Sequence, residues 1–172
     1  MGYIQVQEMA SKEKYPVTPA IRVLRSAGVE FEPHLYDYEE HGGTAVAARE
    51  LGVDEHTVIK TLVFLTDQEK PLLVLMHGDA SVAPGILAKT IGAKSVHPAT
   101  PEEALKITGY QVGGISPFGT RTNPLSLYVE ETILALETIY INGGKRGFLV
   151  VIAPVILTEV LHATPVSVQQ PN

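Results

Sequence analysis

Two runs of aliphatic and β-branched residues, Thr57 to Leu65 and Leu72 to His77, are separated by the polar stretch Asp67-Gln68-Glu69-Lys70. Strands that are apolar on both faces need cover on both faces, so this spacing predicts a hairpin at the centre of a sheet. The elements around it define the fold class. Thr18-Pro19 is a helix start, with Thr18 as N-cap, Ile21 and Leu24 as an apolar stripe and Gly28 as the stop, which predicts a helix over 19–27. Phe31 to Tyr38 is extended, and Pro33 places it at a sheet edge or a strand's beginning. Thr44 to Leu51 before Gly52, and Ala83 to Ile91 before Gly92, read as helices, and Lys94 to His97 as a short strand.

Further along, Thr100-Pro101-Glu102-Glu103 is a capping box that starts a helix running to Thr108. Leu125, Leu127 and Val129 alternate as in a strand, Glu137 to Ile141 pairs with Phe148 to Ile152 across an Asn-Gly turn, and Pro154 opens a last helix through His162. Helices interleaved with hairpins predict an α/β fold of mixed α+β type, with a curved, largely antiparallel sheet flanked by helices.

A chain of 172 residues is about one ordinary domain. The polar segment 1–16 reads as a flexible leader and 17–170 as the single domain. The longest apolar run, Phe148 to Leu157, is half the ~20 residues of a membrane-spanning helix and is interrupted by Pro154, so a cytoplasmic location is expected. A net charge of −6 argues against a surface that coats nucleic acid indiscriminately, so any RNA contact must be local and DNA is not an expected partner. There is no cysteine, which removes disulfides, Cys-ligated metals and a protein thiol nucleophile together. The six histidines show no metal-ligand spacing, and neither a metal nor a cofactor is expected.

Lys60 sits in a strand whose neighbours on both faces are apolar, so its ammonium must find a partner, reach water or lose its proton. A functional lysine and an anti-aggregation charge on an edge strand remain equal readings at this point. Gly113-Gly114 can offer consecutive N–H groups to an anion or a carbonyl, with Pro117 fixing the exit of the loop. Such donors are worth roughly 3 kcal/mol each where an oxyanion develops. Ser116 is no esterase nucleophile, because the elbow motif uses the N–H of the following residue and Pro117 has none. Gly143-Gly144-Lys145-Arg146-Gly147 lacks the Ser or Thr and the helix of a Walker A loop, which leaves a turn with two cations free for a phosphate backbone.

Taken in order, Thr18-Pro19-Ala20, Val58-Ile59-Lys60-Thr61-Leu62, Thr108-Gly109-Tyr110-Gln111-Val112-Gly113-Gly114-Ile115-Ser116-Pro117 and Tyr140-Ile141-Asn142-Gly143-Gly144-Lys145-Arg146-Gly147 closely resemble the YbaK/EbsC group, free-standing relatives of the editing domain of bacterial prolyl-tRNA synthetases. The resemblance spans about residues 18–168. It implies a partly closed mixed sheet and metal-free hydrolysis of the ester of mischarged tRNA, most typically cysteine on proline tRNA. The implied partners are the tRNA acceptor end and, transiently, prolyl-tRNA synthetase. By resemblance, Lys60 matches the essential lysine and Gly113 to Pro117, including Gly114, Ile115 and Ser116, the G-x-x-x-P loop. Tyr36 and Thr61 match pocket residues, and Asn142, Gly143, Lys145 and Arg146 fall on the substrate-contacting turn. In cysteine-specific members the substrate's own thiol attacks its carbonyl, so the protein supplies orientation and charge. Those members commonly carry serine where this chain has Asn142 and aspartate where it has Leu149. Alanine or serine as the edited residue, and a non-catalytic module that clamps the acceptor end, are therefore the alternative readings.

Overall fold

The computed structural model describes residues 15–172. Its first helix, α1 (Pro19–Ser26), starts where the sequence predicts, with Thr18 Oγ1 accepting from the Ile21 N–H at 3.1 Å. The chain continues through β1 (Glu32–Leu35), α2 (Gly43–Leu51), a single 3₁₀ turn over Glu55–Thr57, and the central hairpin of β2 (Val58–Thr66) and β3 (Pro71–His77). Then come α3 (Pro84–Ile91), β4 (Val96–Pro98), α4 (Pro101–Thr108) behind its capping box, and β5 (Ser126–Glu130). A 3₁₀ segment, Glu131–Ala135, leads to β6 (Ile139–Lys145), β7 (Phe148–Ile152), the one-turn helix α5 (Ile156–Glu159) and β8 (Thr164–Val166). Among the described residues no helix is long and apolar enough to cross a membrane.

All eight strands form one sheet in the order β1-β7-β6-β2-β3-β5-β8, with β4 joined to β2. The pairs β1·β7, β6·β7, β2·β3 and β2·β4 are antiparallel, and β2·β6, β3·β5 and β5·β8 are parallel. The sheet is thus mixed and mostly antiparallel, with the predicted hairpin at its centre. Alternation sorts its side chains between two faces. On one, Ile59, Leu75, Val129 and Ile141 pack with Ile21 and Leu24 of α1, and Val63 and Leu73 with Ala104 of α4. On the other, Phe64, Val74 and Met76 pack with Leu87 of α3, and Val58 and Leu149 with Ala47 and Ala48 of α2.

Three sequence expectations need correction. The Asn142-Gly143 pair does not close the β6–β7 hairpin: β6 runs on to Lys145, which pairs with Phe148, and the register slips between Asn142 and Lys145 as a bulge. Gly147 at φ 77° makes the turn, and Gly143 is small because a Cβ there would stand 2.5 Å from the Phe148 ring. The last helix stops at Glu159 instead of reaching His162, because Ala163 N bonds back to Leu157 O and the chain leaves as β8, an edge strand that tolerates Pro165. Of the proposed leader 1–16, residues 1–14 lie outside the described residues. Tyr15 belongs to the packed body, stacked on Phe148 at 5.9 Å and edge-on to Phe31 at 6.1 Å.

Thr18 carries two duties, capping α1 and donating its hydroxyl proton to the Gly143 carbonyl in the bulge. Replacing it by alanine removes a cap and strands a buried carbonyl, so Thr18→Ala is expected to lose about 1–3 kcal/mol in urea denaturation, and Thr18→Ser much less. Equal stability of Thr18→Ala and the parent would show that the helix and the bulge are independent.

Candidate functional site

The central feature is a break in pairing along β2. It pairs with β6 through Val58 and Ile59 alone and with β4 from Phe64 onward, which leaves Lys60 to Leu62 without a neighbour on that edge. These three residues are half-buried, whereas the strand is buried on either side of them. Hydrogen-bond phase fixes what points into the break. Val58 O accepts from Gly78 N and Thr66 N donates to Lys70 O, both on the β3 side, while Val63 O accepts from Ala99 N on the other. Odd-numbered residues therefore turn their backbone groups toward the break, and Thr61 presents its N–H and C=O there. Its hydroxyl is buried and is the one such side-chain atom without a hydrogen-bond partner among the described residues.

A cleft of about 930 Å³ fills this break. Its walls come from Tyr36, Tyr38 and His41 on one side, Thr44 and Ala47 of α2 on another, and Ala104 of α4, Val112, Gly113 and Ile115 on a third. Lys60, Thr61, Asn142, Arg146 and Leu149 also line it, so the structure brings together Tyr36, Lys60, Thr61, Gly113, Ile115, Asn142 and Arg146 from the sequence-predicted set. Gly114, Ser116, Pro117, Gly143 and Lys145 are not among its walls. Ser116 is fully buried, its Oγ accepting from Phe118 N at 3.1 Å, and serves the loop's shape.

The glycine loop is held rigidly from β6 and its turn. Asn142 Nδ2 donates to Gly113 O at 3.1 Å, and its Oδ1 accepts from Gly144 N at 2.7 Å and Lys145 N at 3.1 Å. Arg146 Nε donates to Val112 O at 2.9 Å, and its guanidinium lies 5.2 Å from the Tyr38 ring centroid. The expectation of two free cations on this turn is thus half right: Lys145 is exposed, while Arg146 braces the loop. At the far end Tyr110 donates its hydroxyl to Phe118 O at 2.7 Å, and burial pushes its pKa up to about 12. Gly114 does not extend the donor pair as expected, because its N–H is spent on Gln111 O at 2.8 Å. The Val112, Gly113 and Ile115 N–H groups have no partner among the described residues.

Burial lowers the Lys60 pKa from its ordinary value, and the charges of Glu55 and then Asp79 pull it partly back. Burial likewise raises that of Tyr36, reinforced by Tyr38 and opposed by a hydrogen bond with the Gly147 backbone. The cleft therefore offers one partly desolvated ammonium and unpartnered backbone N–H groups, surrounded by apolar side chains. Such a set stabilises negative charge developing on a carbonyl oxygen.

Sequence spacing missed a cluster of His56, His77 and Asp79, whose ligand atoms lie within 4.8 Å of one another. It is poorly suited to a metal. His77 spends Nδ1 on His56 O at 2.8 Å and Nε2 on Thr132 Oγ1 at 2.7 Å, and its ring is stacked on His56 at 3.7 Å, so their in-plane lone pairs run side by side instead of converging.

A family model described as the aminoacyl-tRNA editing domain matches residues 39–159, which contain the break in β2, the glycine loop and the bulge. The chain belongs to this YbaK-like family of aminoacyl-tRNA editing domains. It is 28% identical over 147 residues to an Enterococcus faecalis protein carrying the provisional name Cys-tRNA(Pro)/Cys-tRNA(Cys) deacylase EbsC, covering 85% of this chain and 89% of that one. With the proline–tRNA ligase of Ligilactobacillus salivarius it shares 41% identity over 98 residues, 57% of this chain but 17% of the ligase. The crystal structure of the hypothetical protein APE2540 superposes with a TM-score of 0.81 at 25% identity, covering 89% of this chain and all of the other (100%). One titled as a provisional trans-editing enzyme for prolyl tRNA synthetase does so with a TM-score of 0.75 at 24% identity over 91% of this chain and 100% of that one, a likeness of fold.

A methyl group on Gly114 would stand 2.7 Å from Arg146 N and 2.9 Å from Lys145 C, both backbone atoms. Loop and turn would have to part, so Gly114→Ala is expected to cost about 1–3 kcal/mol in chemical denaturation. A loss below about 0.5 kcal/mol, the ordinary surface value, would show that the two segments are not packed as described.

Proposed function

We propose that this protein is a trans-editing aminoacyl-tRNA deacylase that hydrolyses the ester of mischarged tRNA without a metal, with Cys-tRNA(Pro) as its substrate. The observation that carries this reading is the grouping of a partly desolvated lysine and unpartnered backbone groups in one cleft of an editing-domain fold. The name of the Enterococcus faecalis relative supports the choice of amino acid and tRNA.

On this reading the cleft residues divide the work. Lys60 balances charge on the carbonyl oxygen or holds the terminal ribose-phosphate, and the Gly113 and Ile115 N–H groups orient the ester. Thr61 presents its N–H and C=O to the aminoacyl group, while Tyr36 and Asn142 border it. The chain has no cysteine, so it brings no protein thiol of its own to the ester. As the family resemblance implies for cysteine-specific members, the substrate's thiol sulfur attacks the ester carbon: a C–S bond forms, the C–O bond to the ribose breaks, and the thiol proton passes to the ribose oxygen. Water then opens the strained thioester ring.

Single-turnover deacylation of cysteinyl-, alanyl-, seryl- and prolyl-tRNA of the proline type tests the reading. Cysteine should be released fastest, EDTA should leave the rate unchanged, and Lys60→Ala should lower it roughly 100-fold or more with unaltered melting. Lys60→Arg should rescue poorly, because a planar fork does not fit an ammonium's place. A folded Lys60→Ala protein with parental rates would refute the role of Lys60. Binding of charged tRNA with no turnover of any of the four would favour the clamp.

Both cations of the turn are exposed, but Arg146 is engaged with Val112 O and Tyr38, so Lys145 is the one expected to meet the acceptor-stem backbone. Lys145→Ala should weaken tRNA binding evenly across sequences and reduce the salt slope by about 1. Unchanged binding from low to moderate salt would make this turn purely structural.

A further inference from the structure

Behind the cleft, the position of Lys60 depends on a carbonyl that two donors share. Gly78 O is 3.5 Å from Lys60 Nζ and 3.2 Å from Thr44 Oγ1. A hydroxyl has one proton to give, and Thr44 Oγ1 also lies 2.9 Å from Glu55 Oε1. A carboxylate is the stronger acceptor, so the Thr44 proton goes to Glu55 and the Gly78 carbonyl stays open to the ammonium. Without that carboxylate the hydroxyl turns to Gly78 O and competes with Lys60.

The surroundings fix this arrangement. A Cβ on Gly78 would stand 2.6 Å from Thr44 Oγ1 and 2.7 Å from Val58 O, so only glycine admits the hydroxyl. Glu55 sits in the short turn before β2, which is closed by His56 N donating to Asp54 Oδ1 at 3.0 Å and by Thr57 Oγ1 donating to Asp54 O at 2.7 Å. Burial disfavours the charged form of Lys60, and Glu55 opposes this more than Asp79 does. Asp79 is itself paired with His56 at 2.9 Å. The remaining charged or titratable groups facing the cleft are Tyr36, Tyr38, Glu40, His41 and Arg146.

We infer that Glu55, by taking the Thr44 hydroxyl proton, is the positioning residue that leaves the Gly78 carbonyl to the Lys60 ammonium and so holds it at the cleft. The inference deepens the proposed deacylase reading and rests on it for its catalytic meaning. Its first test needs no substrate: an NMR titration of ¹³Cε-labelled lysines in the full chain, with Lys60→Arg identifying the resonance. Glu55→Gln should move the Lys60 midpoint to lower pH, and Asp79→Asn should move it less. Thr44→Val removes the competing hydroxyl and keeps the carboxylate charge, so it should not lower the midpoint; Glu55→Ala serves where Glu55→Gln does not fold. In deacylation assays of Glu55→Gln the alkaline limb of kcat should move to lower pH with KM little changed, and Thr44→Ser should keep the parental limb. A Lys60 midpoint that stays in place in folded Glu55→Gln protein, or in Glu55→Ala if the former does not fold, overturns the inference. Parental turnover by Lys60→Ala removes the catalytic role instead, and the titration then decides the coupling by itself.

Discussion

A strand in the middle of a sheet normally satisfies its backbone on both sides, and the unpaired stretch of β2 between Ile59 and Phe64 is the feature on which the rest of the structure depends. The break has identifiable causes. β6 follows β2 for two residues and then enters the bulge at Asn142, which turns it toward the glycine loop; β4 is three residues long and reaches β2 only at Phe64. Polar main-chain groups are thus left facing a space lined by Leu62, Val63, Ile115 and Leu149. A water-poor wall strengthens each donor aimed at a ligand there.

The bulge does more than release β6. By freeing the Asn142 side chain from the ladder it lets one amide hold Gly113 O and two N–H groups of its own turn, and it carries Arg146 to Val112 O and the Tyr38 ring. Loop and turn therefore form one rigid piece, which is the condition for backbone N–H groups to act as pre-set donors without reorganisation. The same piece explains how a chain with a net charge of −6 keeps cations at the mouth of its cleft: Arg146 is fixed structurally, and Lys145 beside it is exposed.

Much of this fold was legible in the sequence because its signals are local. Thr18-Pro19, the Thr100 to Glu103 capping box and the glycines after α2, α3 and α4 mark helix ends by their own geometry, and the apolar run around Lys60 announces a central strand. What failed to show depends on distant partners. Nothing near Asn142 says that its amide is needed by Gly113, twenty-nine positions earlier, so an Asn-Gly pair read as a turn when it is a bulge. His56 and His77 meet only because β2 and β3 pair antiparallel, and Thr44 and Glu55 matter only through Gly78. In the glycine loop, residue type allowed two consecutive donors, and Gly114 instead closes a turn on Gln111.

An attacking group that belongs to the substrate changes where selectivity can come from on the proposed reading. Small amino acids differ by a methylene or a hydroxyl, and an apolar wall such as Val63, Ile115 and Leu149 separates them by about 1–3 kcal/mol at most. Binding alone therefore discriminates weakly among cysteine, alanine and serine. If the attacking group belongs to the substrate, discrimination moves from affinity to reactivity, because an alanyl ester has no nucleophile to bring and a seryl hydroxyl is far less acidic than a thiol. The cleft then needs to do little beyond holding the ester against its backbone donors and a charged lysine. That makes the protonation of Lys60, which burial opposes and Glu55 supports, the quantity on which the rate would depend most closely.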